Sequence, residues 1–361
     1  NLLLVTGWFL MGVGRQHEAD PFYLQAFPKL QKLESRSWIT FPICAFSFHT
    51  DRNLLEWNML WDFYNRGLLE AKAQRDDWGT AWFYYTLGIL STAKEEHAAS
   101  DDYMQLSLEH FRKCGDRWGS VWALHHMGSM AVELGRPEEA LPVFEESLKI
   151  CQEIGDQGGI AFSLHFLGDI FSRLKEYEGS WYYLAQALRI SWEMGSFMVL
   201  WHLIELARSL KDAGQKERAV ELVALVREKL DAGSYEEDVK YVENQLADLE
   251  SELPEDVFHR ARQRGAASNL NETIQALLEE FSPAAARDAV TPVAQPRAST
   301  QPGLVEPLSE RELEVLRLVA AGLSNRAIAS RLVVTVGTIK KHLNNVFGKP
   351  VSYTHLTLPT K

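Results

Sequence analysis

Small, apolar and polar positions recur along this chain with a period of forty residues. Asp76, Asp116 and Asp156 stand three residues ahead of Gly79, Gly119 and Gly159, and Leu87-Gly88, Met127-Gly128 and Leu167-Gly168 follow. Ser100, Ala140 and Ser180 come next; then Ser107, Ser147 and Ala187 precede Leu108, Leu148 and Leu188. Small residues at fixed places with large apolar ones between them describe a hairpin of two helices that approach closely and stack on their neighbours. The spacing predicts three hairpins over residues 76–195, with Gly88, Gly128 and Gly168 facing a neighbouring helix. In Glu133-Leu-Gly-Arg-Pro-Glu-Glu-Ala140, Gly135 is expected to end the first helix and Ala140 to seat the second. Leu60, Tyr64 and Leu68 keep the phase, predicting at least one more hairpin before residue 76. Leu206, Gly214 and Ala219 predict another downstream with looser spacing.

Two short helices are expected over residues 254–282, the second with Leu270, Ile274, Leu277, Leu278 and Phe281 on one face. From Ser282 to Glu306 the text changes to Ala, Thr and Gln with prolines at 283, 292, 296 and 302, which reads as an extended linker. Beyond it, Leu308 to Lys349 reads as three short helices. Ser309 and Glu312 have capping-box spacing, Leu313, Leu316 and Ala320 recur helically, and Gly322 ends the run. Ser324 is placed to cap a second helix with Ile328, Ala329 and Leu332 inward, and Thr335 to cap a third. In that third helix Val336, Ile339, Leu343 and Val346 form one apolar stripe, opposite Gly337, Lys340, Lys341, Asn344 and Gly348. Lysine and asparagine reach phosphates and base edges in a major groove, and glycines let the backbone come close.

These residues carry a resemblance. Leu308-Ser-x-Arg-Glu, Val315-Leu316, Ala321-Gly-Leu-Ser-Asn325, Ile328-Ala329, Leu332 and Thr338-Ile-Lys-x-His342 resemble the LuxR-type helix-turn-helix of bacterial transcription regulators. The resemblance implies groove contacts by Lys340, Lys341 and Asn344, and phosphate or helix-anchoring roles for Thr338, Asn325 and Arg311. It stops after Lys349, where the family would continue into a fourth helix that commonly supplies dimer contacts. Val351 to Thr360 looks like one translated frame of a sequencing adapter, so residues 350–361 are expected to be a non-native tail. The forty-residue unit is in turn similar to an elongated tetratricopeptide repeat. The fold expected is all-α: a tetratricopeptide-like α-solenoid over residues 1–250, a helical tail over 251–282, a Pro/Ala linker over 283–306, and a truncated LuxR-type helix-turn-helix over 307–349.

Charge sharpens this division. The 361 residues carry a formal net charge of −12, but residues 308–349 hold seven Lys/Arg against three Asp/Glu; with Lys361 also basic, residues 1–307 carry −17. The basic element is a local device on an acidic body that repels DNA. Cys44, Cys114 and Cys151 form no CxxC pair, and an odd number in a chain of this size points to reduced thiols in a cytoplasm. His110 and Cys114 share a helix face, but no second pair stands at metal spacing. The apolar run from Leu2 to Val13 is too short to span a bilayer and is read as a core helix in a chain that begins within a longer protein.

Trp78, Trp82, Tyr84, Tyr85, Trp118, Trp122, Tyr182 and Tyr183 stand at or near repeat positions. Either they line a ligand groove formed by the first helices or they pack between repeats, and packing is the expectation for any single ring. His125, His126 and Glu205 are candidate polar groups of such a groove. The order of segments resembles the C-terminal half of large regulators in which an NTP-binding domain precedes the repeats, although no GxxxxGK[ST] phosphate loop occurs here. HExxH and GxSxG are also absent, so no catalytic residue and no cofactor are expected. The function expected is a cytoplasmic transcription regulator whose reader binds double-stranded DNA. Its repeats would dock a protein, a peptide or a small effector, with no membrane contact and a possible homodimer in the intact protein. The alternative is a peptide-binding scaffold in which DNA binding is secondary or lost.

Overall fold

The structure, a computed structural model, describes residues 57–230 and 236–281 and twelve positions between Arg311 and Ile339. Expectations for the Leu2–Val13 run, Cys44, the linker and the 350–361 tail lie outside the described residues. Twelve helices are described in the repeats: α1 Trp57–Ala73, α2 Asp77–Ala93, α3 His97–Cys114, α4 Arg117–Glu133, α5 Pro137–Ile154, α6 Gln157–Arg173, α7 Tyr177–Glu193, α8 Met198–Asp212, α9 Lys216–Lys229, α10 Glu236–Ser251, α11 Glu255–Ala267 and α12 Leu270–Glu280. The forty-residue register therefore yields three hairpins, α2–α3, α4–α5 and α6–α7, and α8–α9 is the looser one. Helices α1–α3 belong to one compact unit, and most of α4 with α5–α12 to a second.

The recurring residues have physical jobs. Asp76 and Asp116 precede their helices, and each accepts a hydrogen bond from the backbone N–H of the glycine three residues on, at 2.9 and 2.8 Å. That satisfies one of the helix's orphan donors, so the recurring Asp marks where each first helix begins. The second glycine of each unit is a socket. A Cβ on Gly88 would stand 2.7 Å from Met104 Cε, on Gly128 2.5 Å from the Phe144 ring, and on Gly168 2.5 Å from Leu184 Cγ. Ser100, Ala140 and Ser180 are fully buried on the facing helices, as are Ser107, Ser147 and Ala187. Close approach of the two helices demands small side chains there, because interiors pack at crystal-like density.

The turns share one geometry. Arg75, Glu95, Gly115, Gly135, Gly155, Lys175, Gly195 and Gly214 all have left-handed φ, between 56° and 86°. At most of them the next residue's N–H reaches back to close the helix end, as in Asp76 to Ala71 O at 2.9 Å, Arg136 to Ala131 O at 2.8 Å and Glu176 to Phe171 O at 2.8 Å. Gly135 ends α4 and Ala140 seats α5 at zero exposure.

In the first unit the core is aromatic: Phe63, Tyr64, Phe83, Trp82 and Phe111 are buried, with Trp82 and Phe111 rings 4.9 Å apart edge to face. In the second unit the core turns aliphatic toward the C-terminus. Leu184, Leu203, Val220 and Val223 share one cluster with Phe258, Ala261 and Ile274. The last helices thus fold back, α11 against α9 and α12 against α7, instead of trailing from the repeats. Gly265 of α11 lies so near α9 that an added Cβ would meet the backbone of Glu221. Exposed ion pairs flank this contact, Arg264 with Glu221 at 2.7 Å and Arg218 with Glu280 at 2.6 Å.

In the C-terminal segment Val315, Ile328, Ala329 and Ile339 are buried together, with Leu318, Leu332 and Val334 packed against them. Ile328, Ala329, Leu332 and Ile339 are inward as their spacing predicts. Val315 is fully buried although the Leu313, Leu316, Ala320 stripe omits it; those three lie outside the described residues.

Candidate functional sites

Thr335 caps the third helix of the C-terminal segment, its hydroxyl accepting from Thr338 N at 3.1 Å. The two threonine hydroxyls share a further hydrogen bond at 2.9 Å. Arg311 donates through Nη2 to the Leu332 carbonyl at 2.8 Å and pairs through Nη1 with Glu314 at 2.7 Å. A guanidinium at this helix end meets unpaired carbonyls and the negative end of the dipole, so it ties the first helix to the turn before the third. Arg311 and Thr338 are thus engaged within the fold. Asn325, Lys340, Lys341 and Asn344 lie outside the described residues.

In the repeats most of the aromatic positions are packing. Trp82, Tyr84, Tyr85 and Tyr183 are buried, while Trp118, Trp122 and Tyr182 are half-buried. Trp78 is 38% exposed and donates through Nε1 to Asp116 Oδ2 at 2.9 Å, so one aspartate both caps α4 and holds an indole. His125 is buried, stacked on Phe162 at 4.4 Å, with Nε2 3.0 Å from Ser163 Oγ. Burial holds its pKa down at about 3, and that of His126 at about 4, so both imidazoles are neutral at physiological pH.

Glu205 belongs to a network that the sequence did not disclose. Its partner Arg208 donates Nε to both Glu205 oxygens at 3.0 and 3.2 Å, Nη1 to Asp212 at 3.4 Å, and Nη2 to Glu205 and to Asp169 of α6. Arg173 adds a second guanidinium to Asp169 at 2.6 Å. Burial opposes the Arg208 charge, yet Glu205, Asp169 and Asp212 outweigh it and raise the guanidinium's pKa. Beside the network His165 Nδ1 lies 3.0 Å from His202 Nδ1, and His202 Nε2 lies 2.8 Å from Ser191 Oγ. Burial pushes both imidazoles down, His202 well below its usual range. Tyr241 of α10 stands near enough for its phenol to be raised, by burial first and then by Glu205. The signal that could have found this site is an acid and an arginine 39 residues apart, about one repeat, on successive first helices.

The other candidates resolve simply. His110 Nδ1 meets Asp77 at 2.9 Å, and Cys114 donates to Phe111 O at 3.4 Å. Among the described residues no three His, Cys, Asp or Glu side chains are grouped to hold a metal ion, and no helix is long and apolar enough to cross a membrane. Cys114 and Cys151 are not joined in a disulfide. A shallow open cleft is lined by Trp192, Asn271, Glu272, Gln275, Ala276 and Glu279.

Comparison with known proteins assigns two stretches. Residues 306–349 match the luxR family of bacterial regulatory proteins, and residues 79–153 and 119–191 match the tetratricopeptide repeat. The response regulator protein VraR of Staphylococcus aureus (strain NCTC 8325 / PS 47) and that of Staphylococcus saprophyticus are each 48% identical over 46 residues, 13% of this chain and 22% of the relative. The chain therefore spans about a fifth of the length of these curated relatives. Among solved structures, the apo form of RapI is 18% identical with a TM-score of 0.46, and BtubC from P. vanneervenii 17% identical with 0.48; each likeness covers 68% of this chain and 97% of the other. The protein is all-α, with tetratricopeptide repeats followed by a C-terminal LuxR-type helix-turn-helix. Both matched families are regulatory or repeat modules.

Proposed function

We propose that this chain is a DNA-binding transcription regulator in which the C-terminal helix-turn-helix binds operator DNA and the repeats dock or sense a partner. The observation that carries the reading is the LuxR-family match over residues 306–349, on a segment whose described residues bury Val315, Ile328, Ala329 and Ile339 and cap the third helix with Thr335. With Ile339 as the buried spoke, a helix continuing at about 100° per residue carries Lys341 and Asn344 on the opposite face and Lys340 on its flank. Lys341 and Asn344 then read base edges and Lys340 meets phosphate. Arg311, Thr338 and Asn325 hold the helices in place or meet the backbone. The segments function as repeats over 1–250, closing helices over 251–282, a linker over 283–306 and the DNA-binding module over 307–349, with 350–361 non-native. The protein works in the cytoplasm of a bacterium, without catalysis, and pairs as a homodimer.

Fluorescence anisotropy on labelled duplex across a salt series tests this. Binding should be weak but measurable at low salt and fall as salt rises, because cationic side chains release counterions from the phosphates. Lys340→Ala should weaken all sequences alike and lower the salt slope by about 1, whereas Lys341→Ala or Asn344→Ala should cost about 1 to 3 kcal/mol and relax base preference. No duplex binding at low salt, with the repeats still binding a peptide, would replace this reading with that of a docking scaffold.

A further inference from the structure

The face of α8 that carries Glu205 and Arg208 is aromatic at its other end. Phe197 and Trp201 stand one turn apart, and the ring of Tyr241 from α10 lies 5.8 Å from that of Trp201. Phe197 and Tyr241 remain 47% and 37% exposed. Asp212 follows Trp201 by eleven residues, three helical turns, and so returns to the same face about 16 Å away.

The charges on this face are arranged unequally. Arg208 is directed at carboxylates through Nε, Nη1 and Nη2, whereas Asp212 is 42% exposed and touches Arg208 only at 3.4 Å. Three carboxylates, Asp169, Glu205 and Asp212, meet two guanidiniums, Arg173 and Arg208, leaving one negative charge in excess. The surrounding body is acidic, with −17 over residues 1–307, so the field favours approach of a cation.

We propose that this face binds a peptide segment carrying an apolar side chain, seated on Phe197, Trp201 and Tyr241, and an arginine or lysine about five extended residues away, paired with Asp212. The inference rests on the reading of the repeats as a docking module and names the chemistry of what they dock. The carboxylates are held in advance by Arg208 and Arg173, so little ordering is spent on binding. An acidic peptide meets the excess negative charge instead and is repelled.

The test uses the full chain and two fluorescein-labelled decapeptides, one with leucine and arginine five residues apart in an alanine and serine background, the other with glutamate in place of the arginine. The arginine peptide should bind at least tenfold tighter than its glutamate twin, and more weakly as salt rises. Asp212→Lys should abolish that preference, while Phe197→Ser should weaken both peptides by the same factor. Both positions are exposed, and an unchanged thermal melt verifies that each variant is folded; if Asp212→Lys melts early, Asp212→Asn replaces it, with the preference reduced instead of abolished. Equal affinity for the twins, preference for the glutamate peptide, no binding of either, or indifference to the Asp212 substitution in a folded variant overturns the proposal. DNA binding measured on the same sample separates the two claims: a chain that binds duplex but shows no arginine preference loses this inference and keeps its DNA-reading function.

Discussion

The α4–α5 hairpin and the α9–α11 contact each bring two helices together at a glycine, but with different materials. At Gly128 the missing side chain makes room for the ring of Phe144, and the neighbour is a side chain that can rotate or slide. At Gly265 the missing side chain makes room for the backbone of Glu221, which cannot move without moving α9. The first arrangement recurs every forty residues with interchangeable partners, Met104, Phe144 and Leu184. The second occurs where the period has loosened. A repeat tolerates variation in what fills a socket, whereas the closing helices combine a shared apolar cluster with one backbone contact that has no substitute, and with exposed ion pairs that contribute little each.

Substitutions at the two glycines test that difference most directly. Gly265→Leu should cost more than about 3 kcal/mol, because overpacking against backbone leaves no rotamer as an escape. Thermal melting by circular dichroism measures it, and a melt like wild type would show that α11 is not seated on α9. Gly128→Leu should cost less, about 1 to 3 kcal/mol, since Phe144 can yield. Should the order of the two losses be reversed, the contrast between side-chain and backbone sockets fails.

Acid probes the repeat side of the comparison alone. His125 is held near 3 in the fold, and an unfolded histidine titrates near 6.5. Below pH about 6.5 the unfolded chain takes up a proton that the folded chain refuses, so this group leaves stability intact above that pH and erodes it on acidification. Between pH 7 and 5.5 the loss from this residue should be about 1 kcal/mol, and His125→Phe should remove that part of the slope. Denaturant titrations at the two pH values decide it; equal slopes in variant and wild type would mean the imidazole is not dry. The smallest effect concerns the turns. Lys175 occupies a left-handed position that Gly135 fills one repeat earlier, so Lys175→Gly should raise stability by about 0.5 kcal/mol, the relief of backbone strain being partly offset by the freedom glycine adds to the unfolded chain. A lowered midpoint would show that the lysine side chain contributes packing there.

The hairpins were legible in the sequence because close packing between their helices leaves a trace at every repeat: a capping aspartate, a socket glycine and a small residue opposite. The core of the C-terminal segment was legible too, from one helical stripe and its caps, although Val315 shows how a stripe read without its neighbours omits a buried position. Glu205 was visible as a candidate, but Asp169, His165 and His202 were not, since each looks like an ordinary helix residue until its counterpart on the next first helix is beside it. The common turn geometry was half hidden as well, with Arg75, Glu95 and Lys175 standing where glycine would have announced it.

Sequence alone thus determined the all-α class, the forty-residue hairpin register and the helix-turn-helix at the C-terminus, because those follow from local capping and from periodic demands on side-chain size. Tertiary structure decided which charges met and where the last helices went. Arg208, beside Glu205 on its own helix, is paired with Asp169 by the stacking of α8 on α6, and α11 and α12 return to α9 and α7 to cover apolar surface that the end of the repeats would otherwise leave in water. Such long-range pairings depend on how whole helices pack, and a linear pattern carries no record of them.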